Sequence, residues 1–178
     1  MPVTFGNPGD LRKTFNDKKF DLLKFAGEKV PCPLKAGVNP ATAVVDGQFL
    51  APDGNGKWDV AADADRALAL VFTANSEIIV KLVTSDDEFP GEDRTDTPTG
   101  LFGEIEAIWP VERLFTGATG GGNVVIASYA ANAKLTVKNG KLCPANFGTN
   151  EDELVVGYVI APSTVVGSNS VAARVHIK

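Results

Sequence analysis

The chain has 178 residues, 44% of them hydrophobic and 22% charged. That is enough apolar material for one ordinary domain or two small ones, and it argues against disorder. The net charge of −5 lacks the basic excess with which a general nucleic-acid binder displaces counterions from phosphates, so no nucleic-acid partner is expected.

No apolar run approaches the roughly 20 residues that span a bilayer, so no membrane partner is expected either. The opening Met1-Pro2-Val3-Thr4-Phe5-Gly6 lacks the regions of a signal peptide, so synthesis in the cytoplasm is the expectation. Residues 1–40 hold seven Lys or Arg against four acids, which makes a basic opening on an acidic body.

Residues 1–36 read as an extended N-terminal arm. Its apolar positions Leu11, Phe15, Phe20, Leu22, Leu23 and Phe25 keep no clean helical period, and Pro31-Cys32-Pro33 ends it in extended backbone. Residues 37–84 read as a first β-module. Val44, Val45, Phe49 and Leu50 mark a strand, and Asp53-Gly54-Asn55-Gly56 is a hairpin turn because both dipeptides tolerate positive φ. A return strand starts at Lys57-Trp58, a third strand follows at Leu68, Leu70 and Phe72, and Ile78, Val80 and Leu82 again alternate.

Residues 85–100 form a long acidic loop, and loops beyond about 12 residues are usually functional. Residues 101–178 read as a second β-module. An alternating strand runs from Leu101 to Trp109 and stops at Pro110. Gly117 to Asn123 is a glycine-rich connection, Val124-Val125-Ile126-Ala127 a short strand, and Asn139-Gly140 a second hairpin turn. Val171, Ala173, Val175 and Ile177 alternate with Ala172, Arg174, His176 and Lys178 in a closing strand expected to pair back onto a sheet.

Two stretches thus follow one plan of strand, tight turn, strand, loop, strand. One is Val45-Asp46-Gly47-Gln48-Phe49-Leu50, Asn55-Gly56-Lys57-Trp58 and Ala67-Leu68-Ala69-Leu70-Val71-Phe72. The other is Ala133-Lys134-Leu135-Thr136-Val137, Asn139-Gly140-Lys141-Leu142 and Leu154-Val155-Val156-Gly157-Tyr158-Val159-Ile160. The fold class expected is mainly β: two related small barrel-like or sandwich-like modules behind an N-terminal arm.

Reactive constellations are weak. Asp86, Asp87, Glu88, Glu92, Asp93 and Asp96 offer oxygen ligands for Ca²⁺ but not at the spacing of an EF-hand, so a solvated loop fits better. Glu104 and Glu106 share one face of a strand, yet nothing specifies the cleft that a glycosidase pair requires. A triad would have to use His176, the one histidine, and no G-x-S-x-G elbow accompanies it.

Gly117-Ala118-Thr119-Gly120-Gly121-Gly122 lacks the Gly-Lys-Ser/Thr ending of a phosphate loop. Trp58 and Trp109 present faces for a sugar, but both stand in alternating runs that suit core packing. Cys32 and Cys143 have no C-x-x-C spacing, and two reduced, partly buried thiols fit them better than a bridge. The sequence therefore points to no catalytic residue, cofactor or metal.

The paired segments Asp46-Gly47-Gln48-Phe49-Leu50 with Asn55-Gly56-Lys57-Trp58, and Ala133-Lys134-Leu135-Thr136-Val137 with Asn139-Gly140-Lys141-Leu142 and Val155-Val156-Gly157-Tyr158-Val159, resemble those of tailed-bacteriophage capsid decoration (cement) proteins. The likeness covers residues 37–83 and 124–161. It implies a non-enzymatic virion structural protein on the outer capsid surface, a homotrimer that stabilises the head by bridging major capsid protein subunits. An N-terminal arm in such proteins often contacts the shell or a neighbouring protomer. The resemblance thus makes Phe5, Arg12, Lys13, Phe15, Lys18, Lys19, Phe20 and Phe25 the contact candidates. Deleting residues 1–30 is then expected to abolish shell binding and leave the β-body folded. The alternatives are another virion component, such as a head-fibre base, tail or spike protein, or a carbohydrate-binding module using Trp58 or Trp109.

Overall fold

The computed structural model describes residues 20–39, 43, 45–63, 68–71, 98–147, 154–167 and 169–178. The protein is mainly β, with one large sheet curled into a half-barrel. The strands are β1 (Asp21–Pro31), β2 (Phe49–Pro52), β3 (Trp58–Val60), β4 (Ala69–Val71), β5 (Thr99–Pro110), β6 (Gly117–Thr119), β7 (Gly122–Val124), β8 (Lys134–Lys138), β9 (Lys141–Pro144), β10 (Gly157–Ala161) and β11 (Ser170–Ile177). The main sheet runs β3-β2-β4-β5-β11-β10-β8-β9, and β1 lies on the other edge of β5. Every pairing between these strands is antiparallel.

This order contains a repeat that shares a strand. The first unit reads β3-β2-β4-β5-β1, and the second reads β9-β8-β10-β11-β5. In chain order β5 is thus the last strand of the first unit and the first of the second, and in the sheet it belongs to both. Each unit also curls towards closure in the same way. The chain leaving β1 lays Leu34 in a parallel bridge against Trp58 of β3, and the chain leaving β5 lays Leu114 in a parallel bridge against Leu142 of β9. The hydrogen bonds there are Trp58 N to Pro33 O at 2.9 Å, Lys35 N to Trp58 O at 2.8 Å, and Phe115 N to Leu142 O at 2.7 Å.

The double role of β5 needs a change of neighbour along one edge. Leu101 and Gly100 pair with β4, whereas residues 103–110 pair with β11. The change falls at Gly103, which has φ +116° and lies opposite Gly27 of β1. A Cβ on Gly103 would lie 2.4 Å from the carbonyl oxygen of Ala26, so only glycine allows β1 and β5 to cross this closely.

Both hairpins take the expected geometry. Asp53 Oδ1 accepts from Asn55 N at 2.8 Å and Lys57 N at 3.1 Å. Asn139 and Gly140 have φ of +49° and +69°, the positive values that a two-residue turn of the hairpin hand requires.

Two cores follow from the alternation. Phe49, Ala51, Leu68 and Leu70 face the larger one, with Ile105, Trp109, Leu135, Leu142 and Val175, while Leu50, Ala69 and Val71 face a smaller one with Cys32, Leu34 and Ala43. The run Leu68-Ala69-Leu70-Val71 is continuously apolar because β4 is covered on both sides. Burying each leucine contributes about 1.5–3 kcal/mol, so Leu70→Ala would cost about 2–5 kcal/mol.

Some expectations need correction. Residues 21–31 are not part of an arm: they form β1 and pair with β5 from Asp21↔Ile108 to Pro31↔Thr99. Their apolar residues follow no helical period because the element is a strand with a bulge between Leu22 and Lys24. Deleting residues 1–30 would therefore remove a strand of the first unit. Val124 closes β7, and Ile126–Ser128 is a 3-10 turn, so the expected strand there ends early. The glycine-rich connection is itself the β6–β7 hairpin. The closing strand is β11, and it pairs with β5 and β10 as expected. The expected strand at 78–83 lies outside the described residues, as do residues 85–97 of the acidic loop.

Candidate functional site

The outward face of the central strands carries the polar chemistry. One register row crosses five strands: Lys24 of β1, Glu106 of β5, Arg174 of β11, Tyr158 of β10 and Lys134 of β8 are successive cross-strand partners. The next row places Ala26 opposite Glu104 and Glu104 opposite His176. Side chains two apart on a strand share a face, so Glu104 and Glu106 stand together as expected.

Arg174 fixes this pair. Its Nη2 donates to Glu106 Oε2 at 2.9 Å, and its Nε lies 3.5 Å from Glu104 Oε1, an ionic contact without hydrogen-bond geometry. The hydrogen bond and charge of Glu106 hold the guanidinium above its ordinary value. Arg174 also stands 5.9 Å over the ring of Tyr158, a cation–π contact. The two carboxylates thus serve as a clamp for one arginine. The outward position of Arg174 was legible in the alternation of the closing strand; its partners depended on register.

Beside this clamp lies a trough of about 650 Å³ over β10 and β11. Its walls include Leu154, Val155, Tyr158, Lys134, Arg174 and Lys178, with the exposed His176 at the rim. Such an arrangement can hold an acidic, partly apolar ligand. Among the described residues no group of three or more His, Cys, Asp or Glu is placed to hold a metal ion. No helix among them is long and apolar enough to cross a membrane.

The other candidates fall elsewhere. Trp109 is fully buried, its Nε1 donates to Gly47 O at 3.3 Å, and the ring of Phe20 meets it edge-on at 5.0 Å. Trp58 is half-buried and edge-on to Phe102 at 5.9 Å. In the β6–β7 turn Thr119 Oγ1 donates to Gly122 O at 2.9 Å and accepts from Gly121 N at 3.2 Å, which ties the glycine-rich segment to itself. Cys32 and Cys143 are buried thiols in different cores, and no disulfide joins them.

Of the contact candidates, Phe20 is buried in the larger core and Phe25 packs partly against it. Phe5, Arg12, Lys13, Phe15, Lys18 and Lys19 lie outside the described residues.

Tyr129 is the residue that sequence reading missed. Its hydroxyl lies 2.7 Å from the carbonyl oxygens of both Phe115 and Leu142, where the second unit closes. Burial pushes its ionisation far up. Nothing in its local sequence marks it, since both partners come from other elements.

No family model, curated protein or solved structure matches this chain.

Proposed function

We propose that the protein is a non-enzymatic virion structural protein that binds the outer surface of a bacteriophage capsid. In this reading it acts as a homotrimer and stabilises the head by bridging major capsid protein subunits. The observation that carries the reading is the repeated β-unit with its shared strand β5. A fused pair of like units gives a stiff platform. A subunit that binds the assembled lattice better than separated shell proteins stabilises the lattice by mass action, and many equivalent copies multiply the effect.

The polar groups on the platform support adhesion over turnover. Glu104 and Glu106 are engaged by Arg174, and the described tryptophans pack within the protein. The buried Trp109 also removes one of the two faces on which a carbohydrate-binding alternative would rely.

The test is co-sedimentation of the purified full chain with heads that lack it, followed by osmotic or thermal challenge of the heads. Saturable loading with raised head survival is expected. Absence from particles at saturating protein would overturn the reading.

A further inference from the structure

The trough beside the end of β11, which reaches from the outward-facing Arg174 and His176 to Leu68 and Ile177 of the larger core, has chemistry that the sheet itself does not use. Its volume of about 650 Å³ falls in the range of ligand-holding clefts. Leu154, Val155 and Tyr158 line it and remain 44%, 46% and 40% exposed, an apolar floor that nothing described covers. Lys134 and Lys178 stand on the same trough, and neither makes an ion pair among the described residues. Arg174 is different, because Glu106 and Glu104 already hold it. Two unengaged lysines thus flank an apolar floor on a chain whose net charge is −5.

We infer that this trough is the docking site for an extended acidic segment of the partner protein, anchored by one large apolar side chain. The inference rests on the functional reading above and makes the partner a surface segment of the shell protein.

Charge complementarity sets the sign of the occupant, because two exposed lysines without ion pairs among the described residues favour carboxylates and disfavour basic segments. The floor sets the anchor, because an inorganic ion would leave Leu154, Val155 and Tyr158 wet. The dimensions suit extended chain. Strands β5, β11, β10 and β8 each contribute to the lining, and Leu154 and Val155 come from the segment just before β10. Four neighbouring strands at about 4.8 Å spacing span on the order of 14 Å, about four extended residues. Two unengaged lysines are too few for the counterion release on which nucleic-acid binding depends.

The probe is a fluorescein-labelled ten-residue peptide of Asp, Glu and Ser with one central Phe, titrated with the full chain and read by fluorescence anisotropy. Binding should weaken as salt is raised. It should fall about tenfold or more for the double variant Lys134→Glu and Lys178→Glu, and also for a peptide whose Phe is replaced by Ser. Circular dichroism of the variant checks that it is folded; both lysines are exposed, so the fold should persist.

Equal affinity of the variant, or equal binding of a peptide with Lys in place of the acids, would overturn the inference. So would competition by sulfate at the peptide's own concentration, which would mark a plain anion site. A dimer in sedimentation that the double variant abolishes would assign the trough to a second copy and overturn it as well. The two readings fail separately. If the variant loads onto heads like the wild type, the trough inference falls and the capsid reading stands. If the peptide binds as expected but the protein is absent from particles, the capsid reading falls alone.

Discussion

Gly140 in the second hairpin turn donates its amide to the carbonyl oxygen of Ala61, 2.6 Å away in the first unit. The same turn gives Asn139 N to Ala62 O at 2.7 Å and receives Phe49 N at Gly140 O, 2.8 Å. Residues at opposite ends of the sheet order are therefore joined, and Asp63 bridges Lys138 beside them. A turn that sequence alone assigns to local geometry is also the seam between the two units.

Gly140→Ala should be costly. The new Cβ would lie 1.9 Å from Gln48 Nε2 and 2.7 Å from Val60, and the backbone has φ +69°. Overpacking and strain together predict a loss of about 2–4 kcal/mol. Gly54→Ala, with φ +81° but open space around it, is the control and should lose only about 1 kcal/mol. Urea midpoints compare the two; equal losses would refute the seam.

Tyr129→Phe removes the hydroxyl near the carbonyls of Phe115 and Leu142. One hydroxyl proton serves one carbonyl at a time, while Leu142 O keeps its bond from Phe115 N. The expected loss is about 1–2 kcal/mol. An unchanged unfolding midpoint would show that the closure does not depend on this group.

Thr136→Val should act in the opposite direction. Thr136 is 1% exposed, and its Oγ1 has no hydrogen-bond partner among the described residues. Valine keeps the shape and the strand preference without the unsatisfied hydroxyl, so a gain of about 1 kcal/mol is expected. A lower melting temperature for the variant would contradict this.

Removal of residues 1–30 should abolish cooperative unfolding. The deletion takes Phe20 from the ring of Trp109 and β1 from β5, which leaves the first unit without its fifth strand. Near-ultraviolet circular dichroism should lose its tryptophan signal. A sharp transition at the wild-type midpoint would mean that β1 is dispensable.

Alkaline pH should weaken the fold through Cys32. Burial pushes this thiol from 9.0 up to about 11. Below pH 9 the thiol is protonated in folded and unfolded chains alike, and it adds no pH slope. Above pH 9 the unfolded chain releases a proton that the folded chain keeps, so stability falls as pH rises towards about 11. Cys32→Ala should remove the part of the fall between pH 9 and 10. Tyr129, raised from 10.0, adds its own fall above that in both proteins. Parallel stability curves for wild type and variant between pH 9 and 10 would count against a buried Cys32 thiol.

Much of the fold was legible locally. Asn139-Gly140 and Asp53-Gly54-Asn55-Gly56 located both hairpins, because only a few residue types accept positive φ. The alternation of Val171, Ala173, Val175 and Ile177 gave the inward face of β11, because side chains on a strand alternate. The opening strand was not legible. Leu22, Leu23 and Phe25 break alternation at a bulge, and a bulge arises from pairing with β5 and not from composition. The candidate site divides in the same way. Glu104 and Glu106 could be placed on one face, but their shared arginine comes from β11, 68 residues from Glu106 along the chain.

The sequence by itself determined the β character, the two hairpins and the twofold recurrence of one strand plan, since turn chemistry and alternation act over a few neighbouring residues. Only the tertiary structure decided that the two copies share β5, that Gly140 seals them together, and that Arg174 meets Glu104 and Glu106 beside an apolar trough. Those outcomes depend on register between distant strands. A shift of one residue in that register would turn each of these side chains to the opposite face.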